Sequence, residues 1–525
     1  MHKLLILIFS IISVQVVAKD FNINSSNTIT IKDKDSYPIQ LIHADDEFVI
    51  YTKGTEFNEI KSIEFLNKTL RTVNNIKLKT TSTERVDHII WTGEQLIVLW
   101  EQKKKNDKAV YYQIIHRNGR TSAKSFLINL ENCFSNQLKE HRVEILRSPD
   151  NEYFGFVINE VYSKKYSGKD AKFLEFTAIF NKEGKLLDKQ KNAYNKFQQL
   201  EAFHFLTHEA QHLKFASNAS KRQIFLTKKD LNEKQTESSK LTFKMPDTVQ
   251  VVAYRIEYNP IKNNYAYIST TKDQKNLKGI NGTYVATFDL NLDTAISQWY
   301  TPYTSELLET SKKSFKFSEG NILFQDYSLS NDFKIRKVEF KEDGGYFIVQ
   351  EYYKRYTPPF LKEMIDHETS AKTENLFNAQ NQFNTSLDPQ DFIITNVNSK
   401  GAIEWIKYLP KSQNTLGHQF GSFDAFTKNE DLYLIYNVAK SQKSFAKYLD
   451  SSHVAVGKLI PICKKIDQEG KITSFNLRTT APKNMVFYPI FSIYQSAKQG
   501  SLYTIAQEKS DDINKYSVIH LSAGE

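Results

Sequence analysis

The feature that most restricts what this chain can become is a unit that recurs along it. Each copy reads as an alternating strand, a tight polar turn, a second strand, a longer polar loop, a third strand, an Asn/Asp/Gly turn and a fourth strand. The clearest copy starts at Phe423: SFDAFT passes through the turn KNED into LYLIYN, continues as HVAVGKLI, and closes at the turn DQEG ending at Gly470. Another begins at Ile335 with IRKVEF, KEDGG and YFIVQEYY, and after a long connection runs through DFIITNV, NSKG and AIEWIKYL. Further copies open at Leu41 (LIHA-DDE-FVIYT), at Asp87 (DHIIW-TGE-QLIVLW), in VEILR-SPDNE-YFGFVIN, at Ala202, and in YRIEYNPIKNNYAYIST. The last, near Tyr488, shows only FSIYQ, SLYTIAQ and YSVIHL. Period-two alternation within these runs signals half-buried strands, and polar turn clusters punctuate them.

Eight starts, mostly separated by about 45–60 residues, match four-stranded propeller blades. The expectation is an all-β chain folded as one β-propeller of four-stranded antiparallel blades. Eight blades are favoured, with six or seven left open because the fourth unit is the weakest. The N-terminal run TITIK, from Thr28 to Lys32, is the candidate for the strand missing from the last unit, since such an exchange closes the ring and protects sheet edges. With 36 Phe and 28 Tyr against 4 Met, composition agrees with pleated, half-buried surfaces rather than helical heptads. The stretch from Thr357 to Gln390 reads as a polar insertion, expected to be disordered or variable, with a binding lid as the alternative and room for a short helix from Phe360 to Ile365.

The first residues read as a signal peptide. Lys3 precedes the apolar run LLILIFSIISVQVV, and VVA ending at Ala18 offers small or medium residues where a signal peptidase reads. That run is short of the roughly 20 residues a membrane span needs. Residues 1–18 are thus expected to be removed and 19–525 to be exported as a single domain that does not span a membrane. Lysines and arginines number 70 against 60 acidic residues, a net charge of +10 spread along the chain. The tightest cluster, Lys103-Lys104-Lys105, sits in a hairpin-like polar stretch. A nucleic-acid partner needs a basic face with interleaved aromatics, which is missing; a solvated surface, attractive to anionic envelope polymers, fits better. Cys133 and Cys463 fall in distant blades of the expected ring and are read as unpaired with each other.

Several strings in the C-terminal part carry a family resemblance. They are EDGGYFIVQEYY (from Glu342), DFIITNVNSKGAIEWIKYLPKSQ (from Asp391), NEDLYLIYN (from Asn429) and the terminal order YPIFSIYQ, SLYTIA, YSVIHL. In these the chain resembles a family of exported Bacteroidetes proteins of unknown function. The resemblance implies an extracytoplasmic propeller-like fold, with Trp405 buried, and implies no activity or catalytic residues. Where that family carries Asp after the Asn matching Asn437, this chain has Val438, so the turn placed there is altered.

One string suggests chemistry. His208-Glu209-Ala210-Gln211-His212 matches HExxH, which on a helix presents two His to Zn²⁺ and a Glu to the bound water. Its surroundings argue otherwise: AFHFLTHEAQHLKFA aligns with SFDAFTKNEDLYLIY of the seventh unit, Phe203 on Phe423 and Thr207 on Thr427, which places His208 to Gln211 in a tight turn. No Gly-x-x-His extension follows, and Glu233 and Glu237 lie in a polar stretch. A calcium-loop mimic, Asp289-Leu-Asn291-Leu-Asp293, lacks its Gly and its terminal Glu and reads as a strand entering a turn. Carboxylates such as Asp45, Asp46, Glu47, Asp343 and Glu351 read as turn or strand-end residues; glycosidase chemistry needs two of them opposed, which spacing alone does not establish. His43, His88, His116, His141 and His453 show no ligand spacing.

The leading expectation is an exported binding or scaffolding module at the cell envelope, facing an envelope protein or polysaccharide, with no cofactor. The alternative is a secreted hydrolase, a zinc metallopeptidase using His208 and His212 as ligands and Glu209 as its base.

Overall fold

The computed structural model describes residues 21–25, 29–30, 37–45, 47–55, 59–104, 107–130, 140–161, 172–195, 202–218, 220–273, 279–290, 294–310, 333–356, 386–411, 423–439, 459–477, 485–495, 500–508 and 515–523. Within them, the strands form eight antiparallel sheets: seven are four-stranded meanders in chain order, and the eighth joins three C-terminal strands to N-terminal ones. First strands of successive sheets contact one another from blade 3 to blade 8 and between blades 1 and 2, and blades 2 and 3 share an apolar cluster. The first strand of blade 1 (Tyr37–Ala44) meets that of blade 8 (Met485–Gln495). The chain is an eight-bladed β-propeller. Blades 1 to 7 span 37–77, 84–130, 140–195, 202–242, 249–302, 333–409 and 424–476. Each of the eight expected starts lies at or within a few residues of a first strand, including the weak fourth at Ala202.

Blade 8 completes itself from the N-terminus, but through a different segment from the one expected. Phe21–Ser25 pairs with Lys515–Ala523, Phe21 opposite Ala523 and Ser25 opposite Ile519. The TITIK run contributes only the two-residue pairing of Ile29–Thr30 with Tyr516 and Lys515. FNINS alternates as well as TITIK does, and the longer register on the outer strand decides between them.

Side chains of period two point alternately to the two faces of a sheet, so each blade packs apolar rows against both neighbours. Phe176, Ala178 and Phe180 of blade 3 join Ile97, Leu99 and Val110 of blade 2. Leu213 and Phe215 of blade 4 join Tyr265, Tyr267 and Phe288 of blade 5. Asn437 adds a polar clamp between blades 7 and 8: its Nδ2 donates to Phe487 O (2.7 Å) and its Oδ1 accepts from Phe487 N (3.2 Å). Asn437 and Val438 therefore lie within a strand, Asp431–Ala439, and not in a turn. Trp405 is half-buried rather than buried, with Nε1 donating to Gln468 O at 2.6 Å.

The two ends of the ring differ. Turns from strand one to two and from three to four share one end in a meander, and here they are all short. Connections from strand two to three and from blade to blade share the other end. The longest lie there, between Pro302 and Phe333, Tyr356 and Ser386, and Ala439 and Leu459. The insertion expected to reach Gln390 gives way to strand at Ser386–Val397; the expected helix from Phe360 to Ile365 lies outside the described residues. Lys103 and Lys104 end the strand Gln95–Lys104, and Lys105 is outside the description, as are Cys133, Asp46, His453 and Asn291 to Asp293. Cys463 is buried and free.

Candidate functional site

The HExxH string folds as a hairpin. Strands Ala202–Leu206 and Gln211–Ser217 flank a turn in which Thr207 N donates to Gln211 O (3.0 Å) and Gln211 N to Thr207 Oγ1 (3.2 Å). Ala210 closes it at φ +58°. His208 and Glu209 stand exposed at the short-turn end, while His212 is 5% exposed on the face of the sheet. Helical spacing would aim both imidazoles one way; the hairpin sends them to different surroundings. The zinc arrangement that His208, Glu209 and His212 would need is not formed.

His212 instead belongs to a polar cleft between blades 3 and 4. In the hairpin register His204 opposes Lys214 and Leu206 opposes His212, so all four share one face. Lys229 and Thr227 continue that face on Gln223–Asp230, opposite His212 and Lys214. Across the interface, Glu175 and Thr177 project from Lys172–Asn181, with Gln190 and Asn192 beside them on Leu186–Asn195. The cleft between these walls has a volume of about 370 Å³ and is bordered by Phe225, Ala216 and Thr236. The apolar cluster of this interface is small, Leu146, Val157 and Ile179 against Leu206, Ala210 and Leu231. It lies toward the short-turn end, and the charged groups occupy the rest.

The charges are arranged in pairs. Glu175 Oε1 accepts from Lys214 Nζ and, at 3.3 Å, from Asn192 Nδ2; its Oε2 lies 3.3 Å from His204 Nε2, a contact without hydrogen-bond alignment. Lys229 Nζ donates to Asp188 Oδ1 at 2.7 Å. His204 Nδ1 and His212 Nε2 are 3.0 Å apart, with their rings nearly parallel. Burial opposes the Glu175 charge, but the contact with His204, and then the ammonium of Lys214, outweigh it and hold the pKa at about 2. Burial, reinforced by His204, Lys214 and Lys229 against the pull of Glu175, brings His212 down to about 3. Glu175 is therefore ionised and His212 neutral near pH 7. A neutral His212 has one N–H and one lone pair, and its 3.0 Å contact with His204 calls for a donor on one ring and an acceptor on the other.

Glu175, His204 and His212 run in line and do not converge on a point, and no group of three His, Cys, Asp or Glu among the described residues is placed to hold a metal. The walls offer hydrogen bonding around an already balanced set of charges. The turn expected at His208 to Gln211 is formed, with zinc chemistry at His212 only the alternative reading; Glu175, His204, Lys214 and Lys229 were not anticipated from the sequence. Their trace is there: His204 sits between Phe203 and Phe205, and Glu175 in FLEFT, polar groups at positions where a strand faces its neighbour.

The other residues considered lie elsewhere. Glu351 is in mid-strand, fully buried against Lys411 Nζ at 2.7 Å. His43 and Asp45 pair at 2.7 Å near the blade 1 turn. Asp289 and Leu290 follow the strand Gly282–Phe288. On the inner strands of blades 6 and 7, Lys337 binds Asp424 and Glu339.

No family model and no curated protein matches the chain. Among solved structures it is similar to prolyl oligopeptidase B from Galerina marginata, with 7% identity and a TM-score of 0.39 over 94% of this chain and 55% of that one. Sqt1 from Chaetomium thermophilum matches with 9% identity and a TM-score of 0.38 over 96% and 100%. The β-propeller domain of the Trilobed protease from Pyrococcus furiosus matches with 11% identity and a TM-score of 0.28 over 73% and 82%. The chain spans about half the length of the first. None of these likenesses bears on its activity.

Proposed function

We propose that the chain is an exported binding module of the cell envelope that holds its ligand in the cleft between blades 3 and 4. One observation carries the reading: at this interface charged and hydrogen-bonding side chains stand beside a small apolar cluster and line a cleft of about 370 Å³. Such a volume lies in the range of small-molecule sites, about 300–1,000 Å³. Filling an interface with Leu or Phe would be the simpler way to stabilise a ring, because buried ion pairs often contribute less than apolar packing of the same volume. Export is inferred from the leader. Cleavage after Ala18 would leave the closing strand Phe21–Ser25 whole.

The test places a photo-crosslinking benzoylphenylalanine at Thr236, exposed on the cleft rim, or at Lys471, exposed on blade 7, in living cells. Envelope-fraction adducts from Thr236 and not from Lys471, on a chain whose first residue is Lys19, are the expected result. Equal adducts from both positions, or none from either, would overturn the cleft reading, and an uncleaved cytoplasmic chain would overturn export.

A further inference from the structure

We infer that the cleft between blades 3 and 4 takes a neutral saccharide unit; this rests on reading the cleft as the ligand site and adds the class of ligand. The charges point this way first. Lys214 is matched by Glu175 and Lys229 by Asp188, so the cleft is not built around an uncompensated cation waiting for an anion. Burying a charged ligand among matched pairs would leave that charge without a counterpart. A polyol brings no charge and presents donors and acceptors together.

The walls are suited to that. Gln190 and Asn192 each carry a carbonyl oxygen and an NH₂, and Thr227 and Thr236 carry hydroxyls. Ion-paired Lys214 and Glu175 provide ammonium N–H groups and carboxylate lone pairs side by side, the spacing that neighbouring ring hydroxyls bridge. Phe225 supplies the apolar part: it borders the cleft and keeps 41% of its surface exposed, although it stands on a strand whose adjacent residues Ile224 and Leu226 are buried. An aromatic face beside amides and hydroxyls meets the C–H face of a pyranose while its hydroxyls turn to the polar walls. The binding groups come from 175–192 and 212–236, two blades, so rotation between them would disrupt the site.

The experiment uses the purified full chain, titrated with neutral oligosaccharides (gluco-, galacto-, manno- and xylo-hexaoses) and with oligogalacturonate at pH 7. Phe225→Ala and Asn192→Ala are compared with Trp299→Ala, an exposed aromatic on blade 5, and unchanged melting temperatures certify that each variant is folded. The expected result is a neutral oligosaccharide that binds the wild type and Trp299→Ala alike and loses at least tenfold in affinity with Phe225→Ala and Asn192→Ala. Binding confined to oligogalacturonate and weakened by the cleft variants would overturn the neutral saccharide and leave the cleft as the ligand site. Saccharide binding that ignores the cleft variants would overturn both. No saccharide bound, while Thr236 crosslinks to an envelope protein in cells, would overturn the saccharide alone.

Discussion

Folding is tied to pH through every group whose proton affinity differs between the folded and unfolded chain. His212 has a folded pKa of about 3 against an ordinary 6.5, so as the pH falls below 6.5 the unfolded chain takes up a proton that the native chain refuses. Its contribution is complete above pH 6.5 and is lost down to about pH 3. Glu175, held at about 2 against 4.5, acts with the same sign over a lower window, complete above pH 4.5 and lost toward pH 2. Each costs up to about 1.4 kcal/mol per pH unit within its window. Melting temperatures recorded from pH 7 to pH 3 should therefore fall steadily in the wild type. His212→Asn, which cannot take the proton, should flatten the decline between pH 6.5 and 4.5 and lessen it from pH 4.5 to 3, where Glu175 still acts. A parallel decline in both proteins would mean that His212 is not the group that titrates. This residue-scale behaviour was out of reach of the sequence, because the pKa of His212 depends on His204 across a hairpin and on Glu175 across a blade boundary.

At the scale of elements, the turns between third and fourth strands repeat one design. Asn181, Asn398 and Asp467 accept with Oδ1 from the backbone N–H four residues on, at 2.8, 3.0 and 2.8 Å, and Gly184, Gly401 and Gly470 follow at φ +75°, +80° and +77°. Asn67 makes the same bond to Arg71 N at 3.0 Å, but the residue at the left-handed position is Leu70, φ +57°, buried between blades 1 and 8. Two opposed terms then meet in one residue. Leu70→Gly relieves roughly 1 kcal/mol of backbone cost but forfeits a buried side chain worth about 2–5 kcal/mol, so the variant should be less stable on balance. Gly119, φ +84°, has open space around it, and Gly119→Ala isolates the backbone term at about 1 kcal/mol. A methyl at Gly401 would stand 2.2 Å from Ser297 Oγ, so Gly401→Ala should cost more than Gly119→Ala. Urea midpoints of the three variants check the order; equal losses for the two glycines would remove the steric argument. These turns were legible in sequence as Asn/Asp-x-x-Gly, which is why the blade starts could be placed. Glu351 was not, since a carboxylate in mid-strand is tolerated only by a partner, Lys411, that is 60 residues away.

At the scale of the molecule, the ring closes through the outer edge of blade 8. The sequence announced that an N-terminal strand was needed there, because the last unit had three strands where the others have four. Which strand supplied it depended on register with Lys515–Ala523, which alternation alone does not encode. Closure joins residues nearly the full chain apart, so it removes an edge and restrains both termini together. A chain lacking residues 19–30 should expose the edge of Lys515–Ala523, melt at lower temperature and associate with increasing concentration, as read by calorimetry and light scattering. A chain of that kind that stayed monomeric and melted like the parent would show the strand to be dispensable. The converse variant strengthens the same contact. Asn22 and Ser522 are directly opposed in the register, so Asn22→Cys with Ser522→Cys should form a disulfide that adds about 2–4 kcal/mol. Its gain in melting temperature should vanish on reduction, leaving a value near that of the parent. If the clasp holds the ring in this way, the cleft between blades 3 and 4 depends on it as well: its two walls belong to separate sheets, and ring closure restrains them from moving apart, so loss of the N-terminal strand should weaken any ligand bound there before the blades themselves unfold.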